Sequence, residues 1–496
     1  MVLNYFEQML PLEELKQLPY LPTIPEFLTW IDDKWGELPA VSDSENVFTY
    51  HQFCERIACK RALLSGLGLS QGDCVAIQDR TTIDAIEMFL AVTSLGCVAL
   101  MLPAQLPADS VMNCCSRFGV AVLALGRGFV CDGQSCKVIS TSGTSAEGIP
   151  VVGIDKNAPA AIFFTGGTTG APKGAVLPHR AIMRGALNGC YAPGHQLACQ
   201  RYICFLPLSH VFGLIRSTLS AFYTGAEWFS CEDMKQTISK IPVIKPTILV
   251  LVPGLCEVLM ELVKMYGRNF LGGELKTIIA GAANVPPKLI EEYDSIGIQL
   301  FAGYGMTEAA NLTSGNVDVK TKPTSVGRIY PHQQVKIVDG EIWIKGDNLF
   351  LGYYGDKAMT DAVMTPDGWL KTGDLGRFDD EGYLYIVGRS KNVIVLSNGE
   401  NVSPESIEDY FYKVKELRDC LVYEESLDGK PVLAIDILPR MDAFEGREWQ
   451  EVEAFFSSIV RDYNKKAPLF HRIAVTTVRK DDFKRTGTMK VSRNQS

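Results

Sequence analysis

A chain of 496 residues, 47% hydrophobic and 21% charged, has the composition of a globular protein and the length of three or four domains or subdomains. Its formal net charge of −9 speaks against a nucleic-acid binder, which carries a basic stripe, but leaves a local phosphate site open. The 14 cysteines form no C-x-x-C pair and no zinc spacing, which fits thiols packed as small hydrophobes in a reducing cytoplasm.

The first residues, Met1-Val2-Leu3-Asn4-Tyr5-Phe6-Glu7, have no basic n-region or apolar core, so no signal peptide is expected. The longest apolar run, 88–102, is interrupted by Thr93, Ser94 and Gly96 and is too short for a membrane span. It reads as the end of a buried helix followed by a strand. Thr49-x-x-Gln52 predicts a capping box, with Phe53, Ile57 and Leu64 on one helical face and Gly66 and Gly68 at its end. A strand is expected over 74–77, a helix carrying Ile83, Ile86 and Leu90, and a strand over 97–102. Such alternation predicts an α/β fold with a largely parallel, layered sheet.

The apolar run 160–164 predicts a buried strand entering Thr165-Gly166-Gly167-Thr168-Thr169-Gly170-Ala171-Pro172-Lys173-Gly174. Glycines let backbone N–H groups approach an anion, and Thr165, Thr168, Thr169 and Lys173 add donors. The string is not a Walker A loop, because Lys173 follows Pro172 and precedes Gly174. Residues 205–213 read as a strand ending in a turn at His210. A lone histidine there is by itself structural. Strands are expected over 247–252, 275–279 and 297–301. The second of these runs into Ala280-Gly281-Ala282-Ala283, small residues beside which a flat ring can lie. The third runs into Ala302-Gly303-Tyr304-Gly305-Met306-Thr307-Glu308, where Tyr304 offers a stacking face, Thr307 a phosphate donor and Glu308 a hard oxygen for Mg²⁺. Residues 340–346 alternate as a strand, and Thr372-Gly373-Asp374 reads as a loop in which an aspartate commonly caps local backbone.

Beyond Gly388-Arg389-Ser390-Lys391 the pattern becomes a smaller α+β unit. It has a hairpin at Asn398-Gly399, a helix opening at Ser403-Pro404, a strand over 432–438, a helix marked by Trp449, Val452, Phe456 and Tyr463, and a last strand over 473–478. The tail is Phe483-Lys484-Arg485-Thr486-Gly487-Thr488-Met489-Lys490-Val491.

From about residue 45 to 491, six of these strings stand in the order found in the acyl- and aryl-adenylating superfamily of AMP-binding enzymes, which the chain resembles. Within it the chain looks most like fatty acyl-CoA synthetases, through Pro-Leu-Ser-His-Val-Phe-Gly and Arg-Ser-Lys-Asn-Val-Ile-Val-Leu-Ser-Asn-Gly. The resemblance implies a large N-terminal region of layered α/β sheets with a β-barrel-like subdomain (1–388), a small mobile α+β C-terminal domain (392–496), and a hinge at 389–391 carrying Lys391. It implies ATP, Mg²⁺ and CoA. Residues 165–170 and Lys173 would hold phosphates; Gly281, Ala282, Ala283 and Tyr304 the adenine; Asp374 and Arg389 the ribose; and Glu308 the metal. Lys490, His210 and Thr307 would serve catalysis, Lys490 matching the lysine of the family's final motif although Lys484 and Met489 replace its proline and glycine.

The implied reaction is ATP-dependent activation of a carboxylic acid, expected to be a medium- or long-chain fatty acid, as acyl-AMP with release of pyrophosphate, then transfer to CoA. Alternatives are transfer to a carrier protein's phosphopantetheine, an aryl or other small acid, a luciferase-like oxidase, and a nucleotide-binding sensor without turnover. Peptide-synthetase domains place an aspartate soon after His210 to pair with an α-amino group. Here Val211-Phe212-Gly213-Leu214-Ile215 is apolar, which disfavours an α-amino acid. No nucleic-acid partner and no transmembrane segment are expected.

Overall fold

The computed structural model describes residues 18–131, 136–165, 173–191, 197–395, 401–427, 430–468, 471–485, 491 and 493. Two large sheets carry most of them. The first has seven strands in the order Gly352–Tyr353, Lys173–Pro178, Pro159–Thr165, Val98–Leu102, Cys74–Gln78, Val120–Leu125 and Lys137–Ser140. The last five run parallel. Helix Tyr50–Gly66 opens with the expected reciprocal capping box between Thr49 and Gln52, and buries Phe53, Ile57 and Leu64. It packs on helix Ile83–Ser94, where Lys60 reaches the buried Glu87 at 3.4 Å and Asp84 at 2.8 Å.

The second sheet has nine strands, and six of them run parallel: Gln299–Tyr304, Thr277–Ala280, Ile248–Leu251, Arg201–Ile203, Glu227–Phe229 and Pro39–Ser42. Their apolar runs are continuous because both faces are covered. Leu249, Leu251, Ile278 and Leu300 pack on one side with Leu259 and Leu289 from helices Pro253–Tyr266 and Pro287–Ser295. Ile248, Val250 and Ile279 face the other side, where Leu214, Ile215 and Leu219 come from a π-helix, Phe212–Leu219.

That π-helix corrects the reading of 205–213 as a strand. The strand stops at Ile203. Pro207 has no N–H to give a ladder, and its carbonyl accepts the His210 N–H at 3.1 Å, closing a turn. The His210 carbonyl then accepts the Leu214 N–H at 2.9 Å. A second correction concerns Thr372-Gly373-Asp374, which lies inside strand Leu370–Phe378 rather than in a loop. Gly373 takes a φ of +72° there, and a register shift follows at Leu375.

Strands Gln333–Val338, Glu341–Gly346, Leu370–Phe378 and Leu384–Arg389 form a four-stranded antiparallel sheet. The C-terminal domain is separate, with its own core. Ile407 and Phe411 of helix Pro404–Phe411 and Val452 and Phe456 of helix Trp449–Lys466 pack on a three-stranded sheet, Leu417–Leu427, Lys430–Pro439 and Ile473–Val478. The first of these strands was not expected, because a bulge between Leu417 and Asp419 breaks its alternation. The two parts touch tightly at Gly388. Its φ is +151°, and a Cβ there would lie 2.0 Å from Ser403 Oγ. Ser403 donates to the Val387 carbonyl at 2.8 Å, and Asn284 Nδ2 donates to Asp409 Oδ1 at 3.0 Å. Among the described residues no helix is long and apolar enough to cross a membrane.

Candidate active site

The site forms where the ends of three sheets meet. Thr165 and Lys173 are register partners at the end of the antiparallel pair Pro159–Thr165 and Lys173–Pro178. Gly166, Gly167, Thr168, Thr169 and Gly170 lie outside the described residues, as does Lys490. Lys173 Nζ sits 5.5 Å from the centre of the Tyr353 ring. The Tyr353 hydroxyl donates to Glu308 Oε1 at 2.8 Å. Burial and then the Glu308 charge push this phenol far up, so it stays a donor.

Tyr304 ends its strand, and the chain turns sharply after it. A Cβ at Gly305 would fall 1.1 Å from the Asn311 carbonyl oxygen, so only glycine fits. Thr307 and Glu308 then occupy a 3₁₀ turn, Thr307–Ala309, with Glu308 buried. The turn is closed by Ala310 and Asn311, both at positive φ, and by the Thr313 N–H donating to the Tyr304 carbonyl at 2.9 Å.

Asp374 joins this end of the sheet to the four-stranded one. It is 3% exposed. Its Oδ2 accepts from the Tyr304 hydroxyl at 2.7 Å, and its Oδ1 faces Arg389 Nε at 2.7 Å. Each oxygen keeps a lone pair, enough to accept a pair of vicinal hydroxyls. Lys391 follows in the 3₁₀ turn Ser390–Asn392. Burial and the charges of Arg389 and Lys173 lower its pKa, while Asp374 and Glu308 act the other way. Two further cations and two carboxylates are therefore within electrostatic reach of Lys391, a balance suited to a polyphosphate.

Gly281, Ala282 and Ala283 follow strand Thr277–Ala280, and Ala282 takes a φ of +65°. The flat ring that lies on Gly281 is the protein's own Phe212, whose Cζ is 2.9 Å from where a Cβ would stand. His210 precedes the same helix, and burial lowers its imidazole pKa, leaving it neutral at pH 7.

A small pocket lies between the π-helix and the sheet, lined by Arg216, Ile279, Gly303, Gly315 and Tyr330. Two of the side chains described here were missed from sequence. Tyr353 stands 45 residues from Glu308, with no local signal. Arg216 lies one residue beyond the apolar string Val211-Phe212-Gly213-Leu214-Ile215, and a single charge in an otherwise uncharged helix was the signal available.

A family model described as AMP-binding enzyme matches residues 28–354, and one described as AMP-binding enzyme C-terminal domain matches residues 391–496. The chain belongs to the AMP-binding enzymes. This AMP-binding enzyme is 29% identical to an indoleacetate–CoA ligase of Aromatoleum aromaticum over 95% of its own length and all of the relative's. It is 28% identical to the peroxisomal long chain acyl-CoA synthetase 6 of Arabidopsis thaliana over 56% of its length, and the match spans only about half of that relative, 48%. Its fold is that of the o-succinylbenzoate coenzyme A synthetase of Bacillus subtilis solved with ATP and magnesium ion, with a TM-score of 0.79 at 22% identity, covering 95% of this chain and 98% of the other.

Among the described residues no group of three or more His, Cys, Asp or Glu side chains could hold a metal by itself. A single buried carboxylate, Glu308, with one oxygen fixed by Tyr353, fits Mg²⁺ of the kind that takes one protein oxygen and completes its shell with phosphate and water.

Proposed function

We propose that this AMP-binding enzyme is an AMP-forming acid–CoA ligase. The observation that carries the proposal is Asp374, buried, within electrostatic reach of Lys391, and held between Arg389 and Tyr304, which stands one short turn before Glu308. A carboxylate alone is a poor electrophile, because attack on it would expel oxide. Joining it to AMP makes a good leaving group, but two anions must first meet, which demands cations and N–H donors where charge develops.

In this reading Lys173 and the 166–170 segment hold the outer phosphates. Asp374 and Arg389 hold the ribose, and Tyr304 with Ala282 and Ala283 flanks the adenine. Thr307 donates to the α-phosphate, Glu308 takes Mg²⁺, and His210 stands over the reacting carboxylate. Lys490 bridges carboxylate and α-phosphate. A thiol then attacks the acyl adenylate after residues 392–496 turn about a hinge at 389–391.

For the acid, the resemblance of the His210 string to fatty acyl-CoA synthetases supports a fatty acid, and the full-length match to an indoleacetate ligase supports an aryl acid.

The test is pyrophosphate release with ATP and Mg²⁺ across acids from acetate to palmitate, with benzoates and amino acids, with and without CoA. Acid-dependent release with a CoA thioester supports the ligase. Release without thioester moves the acceptor to a carrier protein. ATP binding without release from any acid overturns the ligase in favour of a nucleotide sensor. Lys490→Ala should slow adenylation by about two orders of magnitude or more.

A further inference from the structure

Arg216 is 2% exposed and is among the largest fully buried side chains. Its place in the wall of the pocket is built by the sequence. Its stem crosses helix His179–Cys190 at Gly189, where a Cβ would lie 3.0 Å from Arg216 Cδ. The guanidinium then reaches a space bounded by Tyr191, Gly303, Gly315 and Tyr330, with Tyr202 beside it as a hydrogen-bonding neighbour.

Nη1 has no hydrogen-bond partner there, and among the described residues Arg216 forms no ion pair. Its neighbours do not neutralise it. Burial pushes the Tyr202 and Tyr330 phenols and the Cys190 thiol up to about 12, so all three are uncharged at neutral pH. An uncompensated buried guanidinium is costly, and a ligand anion removes that cost. The walls of the pocket include Gly303, next to Tyr304, and Arg216 from the helix that starts just after His210. In the proposed ligase, an acid with its carboxylate held near His210 would extend along this helix toward Arg216.

We infer that the ligase reading has a specific substrate class: dicarboxylic acids, one carboxylate activated near His210 and the distal one bound by Arg216. The inference rests on the proposed ligase function. The sign of the charge is informative. An amino-acid pocket would present an aspartate to an ammonium, whereas this one presents an arginine.

The experiment compares kcat/KM, by pyrophosphate release and thioester formation, for chain-matched pairs: butyrate with succinate, hexanoate with adipate, octanoate with suberate. A polar site that recognises a substrate group discriminates strongly against analogues lacking it, so at least one diacid should exceed its matched monoacid by about 10-fold or more. Arg216→Met should lower that ratio by about 10-fold or more, and Arg216→Lys should retain part of it. Preference for the monoacid in every pair, or a ratio unchanged in Arg216→Met, overturns the inference while leaving the ligase intact. Should Arg216→Met fail to fold, the wild-type ratios decide alone. Absence of release from every acid in the wild type removes the ligase reading and this inference with it.

Discussion

Arg389 and Asp374 stand directly opposite each other on two antiparallel strands, Nε to Oδ1 at 2.7 Å, with the Tyr304 hydroxyl on the carboxylate's other oxygen. The pairing fixes a buried carboxylate in one rotamer before any nucleotide arrives. Asp374→Asn keeps the shape and removes the charge. We expect the KM for ATP to rise by about 10-fold or more, as for loss of a charge-assisted hydrogen bond. Arg389→Leu should have a comparable effect, and the double variant should cost less than the sum. Additive losses would show that the two residues act separately.

Glu308 and Tyr353 make a second preset pair. Glu308→Gln should raise the Mg²⁺ concentration for half-maximal pyrophosphate release and cut turnover by about 100-fold, in the range for a lost electrostatic stabiliser. Tyr353→Phe removes only the hydroxyl and should cost about 3- to 10-fold. An unchanged Mg²⁺ requirement in Glu308→Gln would place the metal elsewhere.

The turn Ser390–Asn392 is tied on both sides. Ser390 Oγ donates to the Gly373 carbonyl at 3.1 Å, and Asn392 Nδ2 donates to Glu405 at 2.6 Å. Proline at 391 fixes φ near −65° and limits how this turn rearranges. Lys391→Pro should slow thioester formation by about 10-fold or more while adenylation, followed by single-turnover acyl-AMP formation, falls much less. Equal losses in both half-reactions would argue against a hinge.

His179 offers a pH test independent of catalysis. It is fully buried, its Nδ1 accepts the Ile24 N–H at 3.3 Å, and burial lowers its pKa from 6.5 to about 4. Above pH 6.5 the ring is neutral in both folded and unfolded chains, and its contribution is fully present. Below that the unfolded chain takes the proton first, so stability falls with pH until about 4, by up to about 3 kcal/mol. The thermal midpoint should drop more between pH 7.5 and 5 in the wild type than in His179→Gln. Equal drops would show that other groups dominate.

Elements with an undisturbed period were legible in sequence. The Thr49 capping box, the run over 97–102 and the helix bearing Trp449 and Phe456 all lie where their patterns put them. Misreadings arose where backbone chemistry interrupts a period. The strand stops at Ile203 and Pro207 turns the apolar run that follows it, Gly373 at positive φ makes a strand look like a loop, and the bulge after Leu417 hides an 11-residue strand. Tyr304, Glu308, Asp374 and Arg389, which the structure brings together, stand out in sequence because glycines and charged residues cluster locally around them. Tyr353 and Arg216 were not, because one meets Glu308 only through the sheet and the other needs the notch at Gly189 to reach its pocket.

Gly388 is a point of close fit between the N-terminal region and the C-terminal domain. Its lack of a side chain lets helix Pro404–Phe411 settle with Ser403 in the space a Cβ would fill, at a φ few other residues adopt. A Cβ there acts as a wedge against Ser403 and Glu405 in this arrangement. If residues 392–496 turn about 389–391 as proposed, Gly388→Ala is a lever on the balance between the two orientations. The fraction of molecules in the docked form should fall, and with it the rate of whichever half-reaction needs that form.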